Sequence, residues 1–393
     1  MGILLNDAGH WRALLPLTFT RPIGGLRPGI LTLTERWPLP VAHTTEAYLS
    51  ARYPGLKGES IRDVDASIFP DPALADAVLD LEVGEVLVRD GRALAFHRSG
   101  LEPLAPSEWD APSAFWRRRT WDAPTVAYTR PWHLFQHAAH AIAQDFALVT
   151  AGRHSQPLSP TVRVIGDPAL VFLEEGAVVE ASVLNTKGGP IFIGRGAEVM
   201  EGCLLRGPLA IGAGAQLKMG AKVYGPSVFG PECRVGGEVN NSVILGYSNK
   251  GHDGFLGNSV LGEWCNLGAD TNNSNLKNTY GEVSVHSYAE DEAVPTGLQF
   301  CGLIMGDHSK SGINTMFNTG TVVGVSANIF GGGFPPKYIP SFAWGGGDDF
   351  DTYDLEKALG TARRVMERRH VPLTPADEAI LREVFRMEQD DRG

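Results

Sequence analysis

The chain has 393 residues, 43% of them apolar and 20% charged, and carries a formal net charge of −11. That length exceeds one ordinary core and implies two or three domains, while the apolar fraction excludes a disordered chain. The acidic balance argues against non-specific binding to nucleic acid or anionic lipid, and no window reaches the roughly 18–20 apolar residues of a membrane span.

Met1-Gly2-Ile3-Leu4-Leu5-Asn6-Asp7 lacks a basic stretch and reads as a buried strand rather than a secretory leader. Residues 1–155 contain a single lysine, Lys57, and mix β-type runs such as Glu85-Val86-Leu87-Val88 and Ala93-Leu94-Ala95-Phe96 with a helical piece over 132–146. An α/β domain fits that mixture. Residues 153–160, with two prolines, form the expected linker.

A six-residue period then begins. Ile193, Val199, Leu205, Ile211, Leu217, Val223, Phe229 and Val235 recur at fixed spacing, and four residues after each comes Ala197, Cys203, Leu209, Ala215, Ala221, Ser227, Cys233 or Val239. The register resumes at Phe255, Leu261 and Leu267, and again from Met305 to Ile329. Hexapeptide repeats of this kind predict a left-handed parallel β-helix over 160–347, a triangular prism with a large residue inside each face and a small one near each corner. Cys203, Cys233 and Cys265 fall on the small positions and read as small buried hydrophobes. With Cys301 they make four dispersed cysteines without a CxxC pair, a reducing-compartment pattern that points to the cytoplasm and gives no sign of structural zinc.

Between the two repeat blocks, residues 240–254 read as an interruption of the prism, rich in amides and ending in Lys250-Gly251-His252-Asp253-Gly254. Functional groups concentrate on such loops, and an imidazole is the side chain best suited to take a proton near pH 7, so His252 is the candidate base. Asn266-Leu267-Gly268-Ala269 opens a second polar run through Asn278, suited to sugar hydroxyls and phosphate, with Lys222 and Lys250 as candidate phosphate charges. Past Gly345-Gly346-Gly347, residues 350–393 form a helical tail: Leu355, Ala358, Leu359, Ala362, Val365 and Met366 make one stripe, and Thr374-Pro375 starts a second helix. The tail is expected to pack on the prism or on a neighbouring subunit without a function of its own.

Residues 246–277, with Lys250-Gly251-His252 and Asn266-Leu267-Gly268-Ala269, resemble the acetyltransferase half of the bifunctional N-acetylglucosamine-1-phosphate uridylyltransferase/glucosamine-1-phosphate N-acetyltransferase (GlmU) family, in its shorter bacterial form. The resemblance extends to Gly302-Leu303-Ile304-Met305-Gly306-Asp307-His308 and to Pro340-Ser341-Phe342-Ala343-Trp344. It implies acetyl-CoA as co-substrate and an amino-sugar phosphate as acceptor, with His252 removing a proton from the amine. It further implies that Asn266 and Asn275 contact the sugar phosphate or position its amine, that Lys222 meets phosphate, and that the backbone at Gly268 and Ala269 meets acetyl-CoA. A homotrimer with shared sites is the implied assembly. Asn240 and Leu276 stand where the family has a lysine and a tyrosine, which leaves the amino sugar open.

Leu15-Pro16-Leu17-Thr18-Phe19-Thr20-Arg21-Pro22 resembles part of the sugar nucleotidyltransferase signature. The Gly-x-Gly-Thr-Arg loop that precedes it in that family is replaced by Asp7-Ala8-Gly9-His10-Trp11-Arg12, with Arg21 and Arg27 as substitute phosphate groups. UTP and Mg²⁺ are implied if this domain is active. Two rivals stay open: a non-catalytic sugar-nucleotide sensor, and a zinc enzyme like the γ-class carbonic anhydrases built on His252, His286 and His308. The histidine separations of 34 and 22 residues do not match that zinc family, so no metal is assigned.

Overall fold

The computed structural model describes residues 2–55, 60–100, 104–347 and 349–392. The chain folds as two compact units: Met1–Leu14, Thr20–Leu26 and Leu31–Arg130 form the first, and Leu15–Phe19, Arg27–Ile30 and Pro131–Gly393 the second. The segment after Pro131, placed by sequence within an N-terminal domain ending at 155, therefore groups with the prism.

In the first unit, strands β1 (Gly2–Asn6), β2 (Val41–Thr44), β3 (Ser60–Asp65), β4 (Glu85–Arg89), β5 (Arg92–Ser99) and β6 (Arg117–Thr120) build one sheet in the order β2-β1-β3-β5-β4-β6. β1 runs parallel to both neighbours, whereas β5 is antiparallel to β3 and β4. Helix α1 (Pro72–Leu79) is capped by the Asp71 carboxylate, which accepts from the Leu74 N–H, and the short α2 (Pro106–Asp110) buries Trp109. This is the α/β unit expected from the sequence.

The second unit is a left-handed parallel β-helix. Among the described residues its three faces are sheets of six, nine and ten strands, which start at Arg163–Ile165, Val171–Leu173 and Val178–Val179. Each coil is eighteen residues where the hexapeptide pattern is regular, as the strand partners Leu204↔Lys222, Leu209↔Ser227 and Gln216↔Arg234 show. All eight large residues from Ile193 to Val235 lie in the prism core, together with Cys203, Cys233 and Cys265. At about 25 cal/mol per Å² of apolar surface, this column is the main stabilising term of the unit.

Residues 240–254 do not interrupt the prism. Glu238–Asn240, Val243–Gly246 and Asn249–Lys250 continue its three faces, but Lys222 pairs with Glu238, Val228 with Val243 and Arg234 with Asn249, so this coil is two or three residues short. The four-residue corner 218–221 shrinks to Gly236-Gly237, and the three residues 225–227 to Asn241-Ser242. Both Tyr247 and Trp264, one coil on, hold positive φ (53° and 62°), a conformation rarely taken by bulky residues. The slip also moves the interior position from Phe255 to Leu256. The true excursion comes later: Asn266 pairs with Lys310, and the intervening chain carries an antiparallel hairpin of Ser284–Ser287 with Glu292–Pro295.

Face two is apolar on both sides. Val228, Val243, Val260, Ile304 and Val322 point away from the prism core yet are at most 1% exposed. Helix α4 (Ala138–Thr150), which follows the single turn α3 (His133–Gln136), packs on this face at Ser227–Phe229, with Phe146 edge-on to Phe172 at 6.5 Å. Two-sided burial is why these strands read as unbroken runs such as Val243-Ile244-Leu245 rather than alternating ones.

Helices α5 (Leu355–Glu367) and α6 (Pro375–Arg392) close the chain. Asp354 caps α5, whose predicted stripe is buried at Ala358, Leu359, Ala362 and Met366. The buried Glu388 carboxylate of α6 accepts from the Ser341 N–H at 2.9 Å, which pins the tail to the prism. No helix among the described residues is long and apolar enough to cross a membrane.

Candidate active site

Successive side chains in a strand alternate in direction, so the residues on either side of each interior position of face three both face outward. On one side stand Arg234, Asn249, Asn266 and Lys310, in register from coil to coil. The Asn249 amide donates to the Asn266 side-chain oxygen at 3.3 Å. On the other side stand Gly236, Gly251, Gly268 and Gly312. A Cβ on Gly268 would sit 2.5 Å from the Gly312 carbonyl, whereas on Gly251 its nearest neighbour would be the Arg234 Cβ at 3.8 Å. The glycines thus make a floor of bare backbone, partly because the coils require it and partly not.

This floor belongs to a cleft of about 680 Å³. Lys218 lies at one end, and Val365, Arg368 and Arg369 from the end of α5 form a second wall. The Arg369 guanidinium donates to the Asn249 side-chain oxygen at 3.0 Å. Tyr247 and Trp264 line the cleft at the corner between faces two and three, their rings stacked at 4.2 Å and 17°. His252 is exposed at the next corner and opens into the same cleft.

Lys250 does not enter the cleft as a phosphate group. It occupies the interior position opposite Val235 and is 2% exposed. Its ammonium donates to the carbonyls of Gly236 at 3.0 Å and His252 at 2.6 Å. Burial pushes its pKa down to about 8, against the pull of Asp253 and Asp270. Lys310 is pushed down to about 8 in the same way, and its ammonium donates to the His308 carbonyl at 2.6 Å.

The cleft brings together His252, Asn266, Gly268 and Ala269. It does not include Lys222, which lies on face one with its ammonium 3.2 Å from Glu238, or Asn275, whose amide donates to Asn258 at 2.8 Å beside the excursion. Gly268 and Ala269 differ in what they can offer. The Gly268 N–H is spent on the Ser311 carbonyl at 3.0 Å, whereas among the described residues the Ala269 N–H makes no backbone hydrogen bond. Arg21 and Arg27 fall in different units. Arg21 is buried, and the Arg27 guanidinium donates to the Ile30 carbonyl, so the two do not form one phosphate site within either unit.

Sequence reading misses Arg234, Asn249 and Lys310, although each directly precedes an interior position once the coils are aligned. Arg368 and Arg369 carry no such signal. In the first unit, Asp7 and Asp65 sit at the carboxyl ends of β1 and β3, where open α/β sheets place ligands. Burial raises the Asp7 pKa to about 7, with the Thr45 hydroxyl (2.6 Å) and the Ile23 N–H (3.0 Å) donating to it. Asp65 accepts from the Ser67 N–H and hydroxyl.

Residues 3–154 match a family model of sugar nucleotidyl transferases, so this part of the chain carries a sugar nucleotidyl transferase-like domain. No curated protein matches the sequence. Among solved structures, the polysialic-acid-specific acetyltransferase NeuO is similar at 12% identity and a TM-score of 0.27, covering 49% of this chain and 81% of its own. An Arabidopsis UDP-N-acetylglucosamine acyltransferase shares 14% identity at a TM-score of 0.24, over 57% of this chain and 95% of its own. The polysialic acid O-acetyltransferase OatWY shares 12% identity at a TM-score of 0.19, over 50% of this chain and 82% of its own.

Proposed function

We propose that the face-three cleft transfers an acetyl group from acetyl-CoA to the amine of glucosamine-1-phosphate. The observation that carries this reading is the meeting of His252 and Asn266 in one elongated groove with a backbone floor. From Lys218 to Lys310 the groove crosses four coil steps, or about 19 Å at the usual strand spacing. That length suits a thioester on an extended arm better than a sugar phosphate alone. The amine nitrogen attacks the thioester carbonyl, His252 takes the amine proton, and the proton returns to the departing CoA thiolate. The free Ala269 N–H is the donor for the tetrahedral oxyanion. Asn266 orients the amine, and Asn275 and Lys222 contribute only if a second copy brings face one to the cleft, as in the homotrimer that the family resemblance implies.

General-base help is worth about 10²–10⁴-fold in rate. His252→Ala is expected to keep its melting temperature and lose acetyl transfer by that factor, measured with acetyl-CoA and glucosamine-1-phosphate. Unchanged turnover would remove His252 from the mechanism.

The family match over residues 3–154 favours a second activity, uridylyl transfer from UTP to the acetylated product. Asp7 and Asp65 already accept internal hydrogen bonds, and among the described residues no three metal-type side chains converge. These residues do not by themselves fit Mg²⁺. Adding UTP and Mg²⁺ to the acetyl transfer assay separates the outcomes by mass: UDP-N-acetylglucosamine supports the second activity, and N-acetylglucosamine-1-phosphate alone removes it. In this reading the protein works in the cytoplasm as a homotrimer, which light scattering would check.

A further inference from the structure

Five cationic side chains line the face-three cleft: Lys218, Arg234, Lys310, Arg368 and Arg369. Among the described residues only Arg234 is ion-paired, with Glu232 at 3.0 Å. Four cations without a carboxylate partner in one cleft are unexpected in a chain of net charge −11. Like charges so placed repel one another, a cost that an anionic ligand removes. Arg369 feels this directly: burial is the largest cause of its lowered pKa, and Arg234 and Arg368 add to it against the pull of Glu232.

A local explanation exists for part of the cluster. Arg368 caps the carboxyl end of α5, where a cation is favoured by the helix dipole. That accounts for a basic residue at the helix end. It does not account for that end being aimed at Arg234 and Lys310, which come from two separate coils of the prism.

We infer that Arg368 and Arg369 of the tail complete a phosphate site in the cleft and hold the phosphate groups of the acyl donor. The inference rests on the acyl-transfer reading for the donor's identity; the site itself rests on the unpaired cations. Arg368 is exposed and makes no side-chain hydrogen bond among the described residues, so its fork is free for bidentate contact with phosphate. Arg369 is held by Asn249, which fixes the second guanidinium over the groove. The tail, expected from sequence to be packing alone, thereby becomes part of the binding site.

The same cations could meet the acceptor's phosphate, and the test separates the two sources. Arg368→Gln is the first variant, because it breaks no internal contact, and Arg368→Gln/Arg369→Gln is the second. Each is assayed with acetyl-CoA and with S-acetylpantetheine, which has the same arm without phosphates. A charge-assisted contact is worth roughly ten-fold or more in affinity. The expected result is a KM for acetyl-CoA raised roughly ten-fold in the single variant and further in the double. The KM values for S-acetylpantetheine and glucosamine-1-phosphate stay put. Equal losses on both donors, or a loss confined to the sugar phosphate, overturn the assignment.

Calorimetric titration with adenosine 3′,5′-bisphosphate reads the site without turnover. Tight binding that the variants weaken supports the phosphate site even if no acetyl transfer is found, in which case the functional reading alone has failed. Absence of binding to the unaltered protein overturns the site.

Discussion

Lys250 shows how one buried charge serves a surface group. The prism has room for an aliphatic chain at its position and takes a lysine stem instead, with the ammonium bridging two carbonyls, one belonging to His252. Because the folded pKa is depressed from 10.5 to about 8, the folded state binds fewer protons than the unfolded chain between those values, and stability rises with pH across that window. Lys250→Met removes the buried charge and fills the same space. It is expected to be more stable than the parent near pH 7, on the order of 1–3 kcal/mol, and the gap should close toward pH 10. Lys310 titrates in both proteins and cancels in the difference. Melting curves from pH 7 to 10 check this, and a gap that widens with pH contradicts it. The same variant should lower kcat with little change in KM, since His252 loses the donor that fixes its backbone.

The glycine column of face three separates two reasons for having no side chain. At Gly268 the coil spacing forbids a Cβ, and Gly268→Ala is expected to cost about 1–3 kcal/mol by overpacking against Gly312. At Gly251 the backbone leaves space and φ is not positive, so Gly251→Val should fold with near-parental stability yet obstruct the groove floor. A raised KM for acetyl-CoA at unchanged melting temperature is the expected reading, and normal kinetics would show the floor to be unused. The prism itself is legible in the sequence because a large residue every sixth position has few other physical meanings, and Ile193 through Val235 are all interior. The segment at 240–254 reads as a break for an equally physical reason. Two corner residues are missing at Gly236-Gly237 and a third at Asn241-Ser242, and an interior site is filled by Lys250, so the period lapses in sequence while the coil continues in space. His252 and Asn266 stand out from the composition around their glycines. Arg368 and Arg369 do not, because α5 reads as one more amphipathic helix and its placement over face three is a tertiary fact.

At the scale of the molecule, the second unit is a stack whose coils meet only their neighbours, stabilised coil against coil and closed at one end by the tail through Glu388 and Ser341. Such quasi-one-dimensional structures open from their ends or weakest repeat rather than all at once. The four cysteines are placed to record this. All are buried, and burial pushes the thiols of Cys233, Cys265 and Cys301 up to about 12, so in the closed protein they hold almost no thiolate and should resist alkylation. They sit at different heights along the stack, Cys203 nearest the start. Each is therefore a built-in clock for the opening of its own coil. Pulsed alkylation in sub-denaturing urea, read by peptide mass, is expected to label Cys203 before Cys265. Simultaneous labelling of all four would mean the whole prism unravels as a single cooperative body, with no fraying edge for proteases to find.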